Sequence, residues 1–476
     1  MALALTTAAF LVYSQTIAFH WDEGFHILTA RLIDMGKRPY LDFFFPQTPL
    51  NAYWNAAWMA IFGARWRVVH VVAALVTIAS VLLIARYLYL LIPDRRWRVA
   101  AALAALGLFG LHSLVWEFGA VAQAYPLCLL LVVSAFLLSI ASVDRHRPWL
   151  SAGAGFLAGA AAGSTLLTAI VAPVLLVWIC RQNREGNRWT KAAAFVGGAL
   201  VACVPVLVLL VRGPHQVIFN ILEYHSLYRR IEWEGATAHD VGTATDWFNS
   251  SPSLLLFLLA LAGFLYLRRG HFSPARRAEL HLCLWLSLAI SFQNMFAHPT
   301  FPQYFVFIIP FLTVLAGVGF YAVAVRLYHP DRPWPAVILL LTVTALCLGN
   351  DVYEDRDSYT WHKVEQVANK MKQVTPKGAP LLAPEQIYFL TNWPIPPGME
   401  HADAHKLSLS PSEAALLHVV PKAEIERRVK AGEFATVVTC EDDETNDVDD
   451  WDVFSQKADF DRCTVFWKFK KPTTKG

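Results

Sequence analysis

Charge is scarce in this sequence: 16% of its 476 residues are Asp, Glu, Lys or Arg, against 56% hydrophobic. That balance excludes an ordinary soluble multidomain chain and points to a membrane protein. The formal net charge of +3 is too small to imply a nucleic-acid partner. No CxxC pair occurs among the 7 cysteines, which removes a zinc-ribbon or dithiol centre. Cys128, Cys180, Cys203, Cys283 and Cys347 lie in apolar segments and read as packing residues. Cys440 and Cys463 share the polar C-terminal part and pair only if that part faces an oxidising compartment. There is no GxxxxGKS/T, no GxGxxG after a strand and no GxSxG, so soluble nucleotide or hydrolase chemistry has no visible site. No fixed-period repeat is present.

Long apolar runs are what the chain does have. Residues 2–19 are long enough to cross a bilayer and lack a basic n-region or cleavage site, so they read as an uncleaved span. Further segments follow at about 67–92, 99–116, 119–143, 149–163, 165–180, 192–212, 253–267, 280–297, 303–325 and 334–349. With the first, the expectation is about eleven transmembrane helices, the pair at 149–180 being either two steep helices or one re-entrant pair. Aromatic residues make up 13% of the chain, 17 of them Trp, which suits anchoring at two membrane–water interfaces. The series Gly153, Gly155, Gly159, Gly163 is expected to serve close helix packing.

Arginine placement orients the chain. Alternate loops carry Arg95, Arg96 and Arg98; Arg145 and Arg147; Arg181, Arg184, Arg188 and Lys191; Arg268, Arg269, Arg276 and Arg277; and Arg326 with Arg332. The connections near Glu117, Ser164 and His298 have almost no Lys or Arg. The positive-inside rule then puts the N-terminus in the cytoplasm. It puts three regions on the outer face of the plasma (inner) membrane: the loop 20–66, the loop 213–252 and everything after residue 349. Residues 1–349 read as the membrane domain and 350–476 as a small extracytoplasmic α/β domain. In that tail, 361–374 and 422–431 read as helices, and 379–382, 387–390, 434–439 and 464–468 as extended segments. The acidic run 441–450 lacks the Gly and spacing of a calcium loop and reads as a solvated loop.

The organising stretch is the first outer loop, FHWDEGFHILTARLIDMGKRPYLDFFFPQTPLNAY at 19–53. Helical spacing predicts amphipathic helices over 23–36 and 49–62, the second ended by Gly63, both lying along the membrane surface. Asp22 and Glu23 are adjacent acids at a membrane boundary, a costly pair unless it caps a helix or does chemistry. Arg31, Lys37, Arg38, Arg65 and Arg67 are cations on the same side, and Asp42 is expected to fix a turn with Pro39 and Tyr40. Arg229 and Arg230 come from the other long outer loop, and His298, Gln303 and Tyr304 from HPTFPQYF at 298–305. Each arginine also reads as a headgroup anchor, and Gln303 and Tyr304 as interface anchors. Carboxylates, cations and a lateral apolar approach suit a substrate with a phosphate head and a lipid tail.

The pattern WDEGFH, then GKRPYLDFFFPQTPLNAYW and a closing FG, resembles the first outer loop of lipid-linked-sugar glycosyltransferases of the GT-C superfamily. It is most similar to the bacterial protein-mannosyltransferase-like and aminoarabinose-transferase-like branch. HPTFPQYFVFIIPFL resembles the outer-loop-to-helix segment late in the membrane domain of such enzymes. The resemblance implies transfer of a sugar from a polyprenyl-phosphate donor to a glycan, lipid or protein acceptor on the outer face, by inversion. Asp22 takes the place of the family's first-loop acid, the general base or a metal and acceptor organiser, and Glu23 that of the second acid. Where the aminoarabinose-transferase branch carries Glu-Lys-Pro, this chain has Gln47-Thr48-Pro49, without either charge. The expected substrate and phosphate contacts are Arg31, Arg38, Arg229, Arg230, His298, Gln47 and Tyr304. No spacing fixes a cofactor; a divalent metal, if used, would sit at Asp22. Two other classes stay open, a lipid-linked-sugar transporter or flippase and a non-catalytic scaffold. The former would place charged or broken helices at the midplane in two repeated halves, which the sequence does not show.

Overall fold

The computed structural model describes residues 1–182, 188–228, 235–328, 331–440 and 451–470. From the N-terminus the helices are α1 (Ala2–Thr16), α2 (Glu23–Asp34), α3 (Leu50–Phe62), α4 (Trp66–Leu91), α5 (Arg98–Ala105), α6 (Ser113–Gly119), α7 (Tyr125–Asp144), α8 (Pro148–Ser164), α9 (Val171–Gln182) and α10 (Arg188–Arg212). Contacts divide the chain into two compact units, each assembled from three segments. One comprises Met1–Gln15, His70–Val206 and Arg229–Asp357; the other comprises Thr16–Val69, Leu207–Tyr228 and Ser358–Gly476.

The first unit is a polytopic helical membrane bundle. Among the described residues, six helical runs are long and apolar enough to cross a membrane: α4, α7, α10, Ser251–Arg268, Ile309–Leu327 and the run that begins at Trp334. The α5 and α6 stretches, bent by 63° at their break, make a seventh if taken as one span. Two physical causes separate this from eleven apolar segments. First, α1, α8 and α9 have 15, 17 and 12 residues, short of the ~20 that a 30 Å hydrocarbon core asks of a straight helix. Second, Pro274–Asn294 opens with Arg276, Arg277 and Glu279, which lowers its apolar content. The bend itself follows a π-helical turn at Leu106–Gly110, where the regular hydrogen-bond ladder is interrupted.

Small residues set the helix spacing. A Cβ on Gly155 would stand 1.9 Å from the Phe195 carbonyl oxygen, and one on Gly198 2.0 Å from that of Ala152, so α8 and α10 meet backbone to backbone. Gly319 and Gly263 bring Ile309–Leu327 against Ser251–Arg268 in the same way. One buried charge is compensated within the bundle: Glu279 accepts hydrogen bonds from the Tyr87 hydroxyl at 2.6 Å and from Arg276 at 2.8 Å.

The second unit contains α2, α3 and a four-stranded sheet: β1 (Leu381–Leu382), β2 (Thr436–Cys440), β3 (Phe454–Phe460) and β4 (Cys463–Phe469), in order β1-β2-β4-β3. β1 runs parallel to β2, and the other neighbours are antiparallel. That register sets Cys440 opposite Cys463, and the two form a disulfide. The helix Trp361–Val374 lies against the sheet, with Thr375 donating to Thr436 at 2.9 Å and Lys370 over the Trp467 ring. Leu382, Ile425, Val429, Phe434 and Val437 form the core beneath. The segment 387–390, read as extended, is helical instead. It lies within Glu385–Thr391, which Pro384 starts and Asn392 stops in the left-handed conformation at φ 60°. The acidic run 441–450 lies outside the described residues.

Candidate active site

At the start of α2 the two adjacent acids part company, because successive helical residues turn about 100° apart. Asp22 occupies the N-cap position, yet its side chain makes no capping hydrogen bond. Its carboxylate is 57% exposed, and its nearest ionisable neighbour is His20, with Nδ1 at 3.9 Å from Oδ2. Glu23 is fully buried and accepts a hydrogen bond from the Trp361 indole at 3.0 Å. Gly24 follows because a Cβ there would overlap Gln386, whose amide donates to the Trp21 carbonyl at 2.8 Å. Each acid of the pair thus has its own setting: one carboxylate available, the other committed to packing.

One turn further on, His26 is buried, and its Nδ1 finds no hydrogen-bond partner among the described residues. The ring stacks on Phe25 at 4.1 Å, which in turn lies 4.6 Å from the ring of His401. Burial, then the nearby His401 and His20, push the His26 imidazole down to about 3. An ordinary unfolded imidazole titrates near 6.5. The unfolded chain therefore binds the extra proton, and stability is full above about pH 6.5 and is lost progressively as pH falls toward 3. The thermal midpoint of the second unit is expected to drop between pH 7 and pH 5, and His26→Leu to flatten that slope. An unchanged slope in the variant would locate the acid sensitivity elsewhere.

Four of the five first-loop cations are engaged. Arg31 donates to the Phe389 carbonyl at 3.0 Å and to the Asn392 side chain. Arg38 holds Asp42 through two side-chain bonds of 2.9 and 2.6 Å, and its backbone N–H donates to the same carboxylate at 2.7 Å. The Arg38 guanidinium is the largest influence drawing the Asp42 carboxyl below its usual range. Lys37 lies 3.6 Å from the buried Glu400, whose carboxyl burial pushes up. Arg67 pairs with Glu365 at 2.8 Å. Gln47 is half-buried; its carbonyl accepts from the Tyr40 hydroxyl at 2.6 Å, which closes the Pro-rich turn. Phe45 and Pro46 are fixed in turn by Asn220 at 2.8 Å and His225 at 2.6 Å. Arg229 and Arg230 lie outside the described residues.

The remaining expected contacts belong to the first unit. His298 Nδ1 is hydrogen-bonded to Asp240, on the helix Ala236–Asn249, and Asp240 also accepts from the Thr300 N–H at 2.6 Å. Burial works to raise the Asp240 carboxyl, but the Thr300 and His298 hydrogen bonds outweigh it and hold the group low. Tyr304 is buried in the 3₁₀ turn Pro302–Phe307, its carbonyl accepting from Asn294 at 2.9 Å. Gln303 is buried in the same turn.

A separate cavity of about 170 Å³ is lined by Tyr13, Ser113, Trp116, Leu348 and Val352, with three carboxylates, Glu117, Asp351 and Asp355. No lysine or arginine lines it, so it disfavours a phosphate. Among the described residues no three His, Cys, Asp or Glu side chains gather closely enough to hold a metal ion, so a divalent ion at Asp22 finds no three-ligand set. Reading the sequence did not find His26, His401 or Asp240. WDEGFH displayed His26 one turn after Asp22, but nothing local marked the partners of the other two.

Proteins of known structure share this fold. Crystal structures of ArnT from Cupriavidus metallidurans, bound to undecaprenyl phosphate and in the apo state, match with TM-scores of 0.67 and 0.66. Identity is 16% in both, over 98% of this chain and 97% and 96% of theirs. The Archaeoglobus fulgidus oligosaccharyltransferase, in complex with Zn and sulfate, matches with a TM-score of 0.52 at 13% identity, over 92% of this chain and 68% of that one. No protein-family model and no curated protein sequence matches. At such identities the likeness is one of fold.

Proposed function

We propose that this chain is a membrane glycosyltransferase that moves a sugar from a polyprenyl-phosphate-linked donor to an acceptor on the outer face of the plasma membrane. The observation that carries this reading is the end-to-end fold match to a protein crystallised with undecaprenyl phosphate, over 98% of this chain. The uncommitted Asp22 carboxylate at the head of the first loop adds to it. In this reading the N-terminus is cytoplasmic and about eleven segments enter the membrane. Residues 1–349 form the membrane domain and 350–476 an extracytoplasmic one.

The reaction is a single displacement. Asp22 removes the proton of the acceptor hydroxyl, whose oxygen attacks the anomeric carbon. The bond from that carbon to the phosphate oxygen breaks, and polyprenyl phosphate leaves with the electron pair, inverting the centre. Phosphate contact is assigned to His298 of the first unit, whose Nδ1 is held by Asp240. Glu23 supports the loop from within its own unit, accepting from Trp361.

The test is turnover of a synthetic panel of polyprenyl-phosphate sugars by the purified protein in detergent, with lipid, glycan and peptide acceptors supplied together. Release of polyprenyl phosphate that depends on an acceptor supports the reading. Donor bound with no release under any acceptor, and moved across a vesicle bilayer instead, would establish the lipid-linked-sugar transporter.

A further inference from the structure

We infer that Asp240 is a positioning residue: it holds His298 so that the imidazole Nε2–H is presented to the phosphate of a polyprenyl-phosphate ligand. The inference rests on the donor class proposed above and adds a residue and a geometry to it.

Three observations fasten the helix Ala236–Asn249 to the segment 298–305. Asp240 bridges the segment, taking His298 Nδ1 with one carboxylate oxygen and the Thr300 N–H with the other, at 2.6 Å. Trp247, two turns on, stacks flat on Phe305 with centroids 4.4 Å apart. His239 meets the Phe301 ring at 5.7 Å. The carboxylate therefore fixes which imidazole nitrogen is turned inward, and Nε2 is left without a hydrogen bond to any described residue. His298 keeps 28% of its side chain exposed, so that nitrogen is reachable. An anionic Asp240 also balances the charge of an imidazolium, the form that gives a charge-assisted hydrogen bond to a phosphate oxygen. Among the described residues Asp240 pairs with His298 and with its own helix neighbour His239.

The experiment measures the affinity of the full chain, in detergent, for a synthetic polyprenyl phosphate at pH 6 and pH 8, in wild type, D240N, H298Q and the double variant. Asparagine retains an acceptor for the Thr300 N–H but replaces the anion facing Nδ1 with a neutral group. His298→Gln is expected to weaken binding about tenfold or more at pH 6, the scale of a charge-assisted hydrogen bond. Asp240→Asn should weaken it several-fold in wild type and add nothing in the H298Q background.

An equal loss from D240N in both backgrounds would make Asp240 a merely structural residue and overturn the inference. Wild-type binding that H298Q leaves intact would overturn it too, while leaving the polyprenyl-phosphate reading standing. No binding by wild type at either pH would sink both. Should D240N fail to fold, the H298Q affinity still decides whether Nε2 meets the phosphate.

Discussion

Asparagine in place of Asp22 is expected to lower turnover roughly 10²–10⁴-fold, the contribution of a well-placed general base, with the protein still folded and the donor still bound. The direction follows from what the carboxylate does not do. It caps no N–H of α2, and with 57% of its side chain exposed it is buried against nothing. Asn is also a good N-cap residue, so the substitution leaves helix formation intact. The comparison needs kcat and the thermal midpoint on the same preparations. A kcat loss with an unchanged midpoint and unchanged donor affinity assigns the effect to proton removal. Equal turnover in variant and wild type would remove Asp22 from the mechanism while leaving the enzyme reading in place. A midpoint that falls with kcat would show the residue to be structural after all.

The largest stability effect is expected from Trp361→Ala. Trp361 is 1% exposed, stacks on Trp66 at 5.4 Å, meets Phe19 at 5.8 Å and Phe389 at 6.3 Å, and donates to the buried Glu23. Truncating a packed tryptophan costs about 3–5 kcal/mol, and withdrawing a donor from a buried carboxylate adds about 1–3 kcal/mol. Against a typical domain stability of about 5–15 kcal/mol, the second unit should lose cooperative unfolding near physiological temperature. Limited proteolysis of the 358–476 region reads this directly: rapid cleavage in the alanine variant, slow cleavage in wild type. Trp361→Phe, which keeps a ring but no N–H, should fall between them. Wild-type protection in the alanine variant would show that the aromatic stack is dispensable.

How much of this was legible in the sequence depends on how far apart the partners are. The helices α2 and α3 were visible, with Gly63 closing the second, because their period and their C-terminal glycine are local signals. The close packing of the Gly155 and Gly159 helix was visible for the same reason. Apolar stretches marked the long helices but not where they break, since a π-helical turn at Leu106–Gly110 leaves no hydropathy signal. The helix Glu385–Thr391 was misread because four residues are too few to show a period, and its caps decide it. Within the site, WDE announced its acids but not their division of labour. The partner of Glu23 is 338 positions away, that of Arg31 358 or more, and that of His298 58. Such pairings are fixed by tertiary folding and are silent in any local window.

Because Glu23 and Arg31 are tied to Trp361, Phe389 and Asn392, the order of synthesis becomes a constraint. The ribosome delivers the first loop well before its partners, which lie 338 positions or more further along. Until residues beyond 358 emerge, a helix that carries an acid destined for complete burial has nowhere to bury it. The loop must wait in an open form, and shortening the chain from its C-terminus would leave the Asp22 region permanently in that nascent condition. The region beyond 358 is therefore no detachable appendage, but a piece needed to mature the first loop.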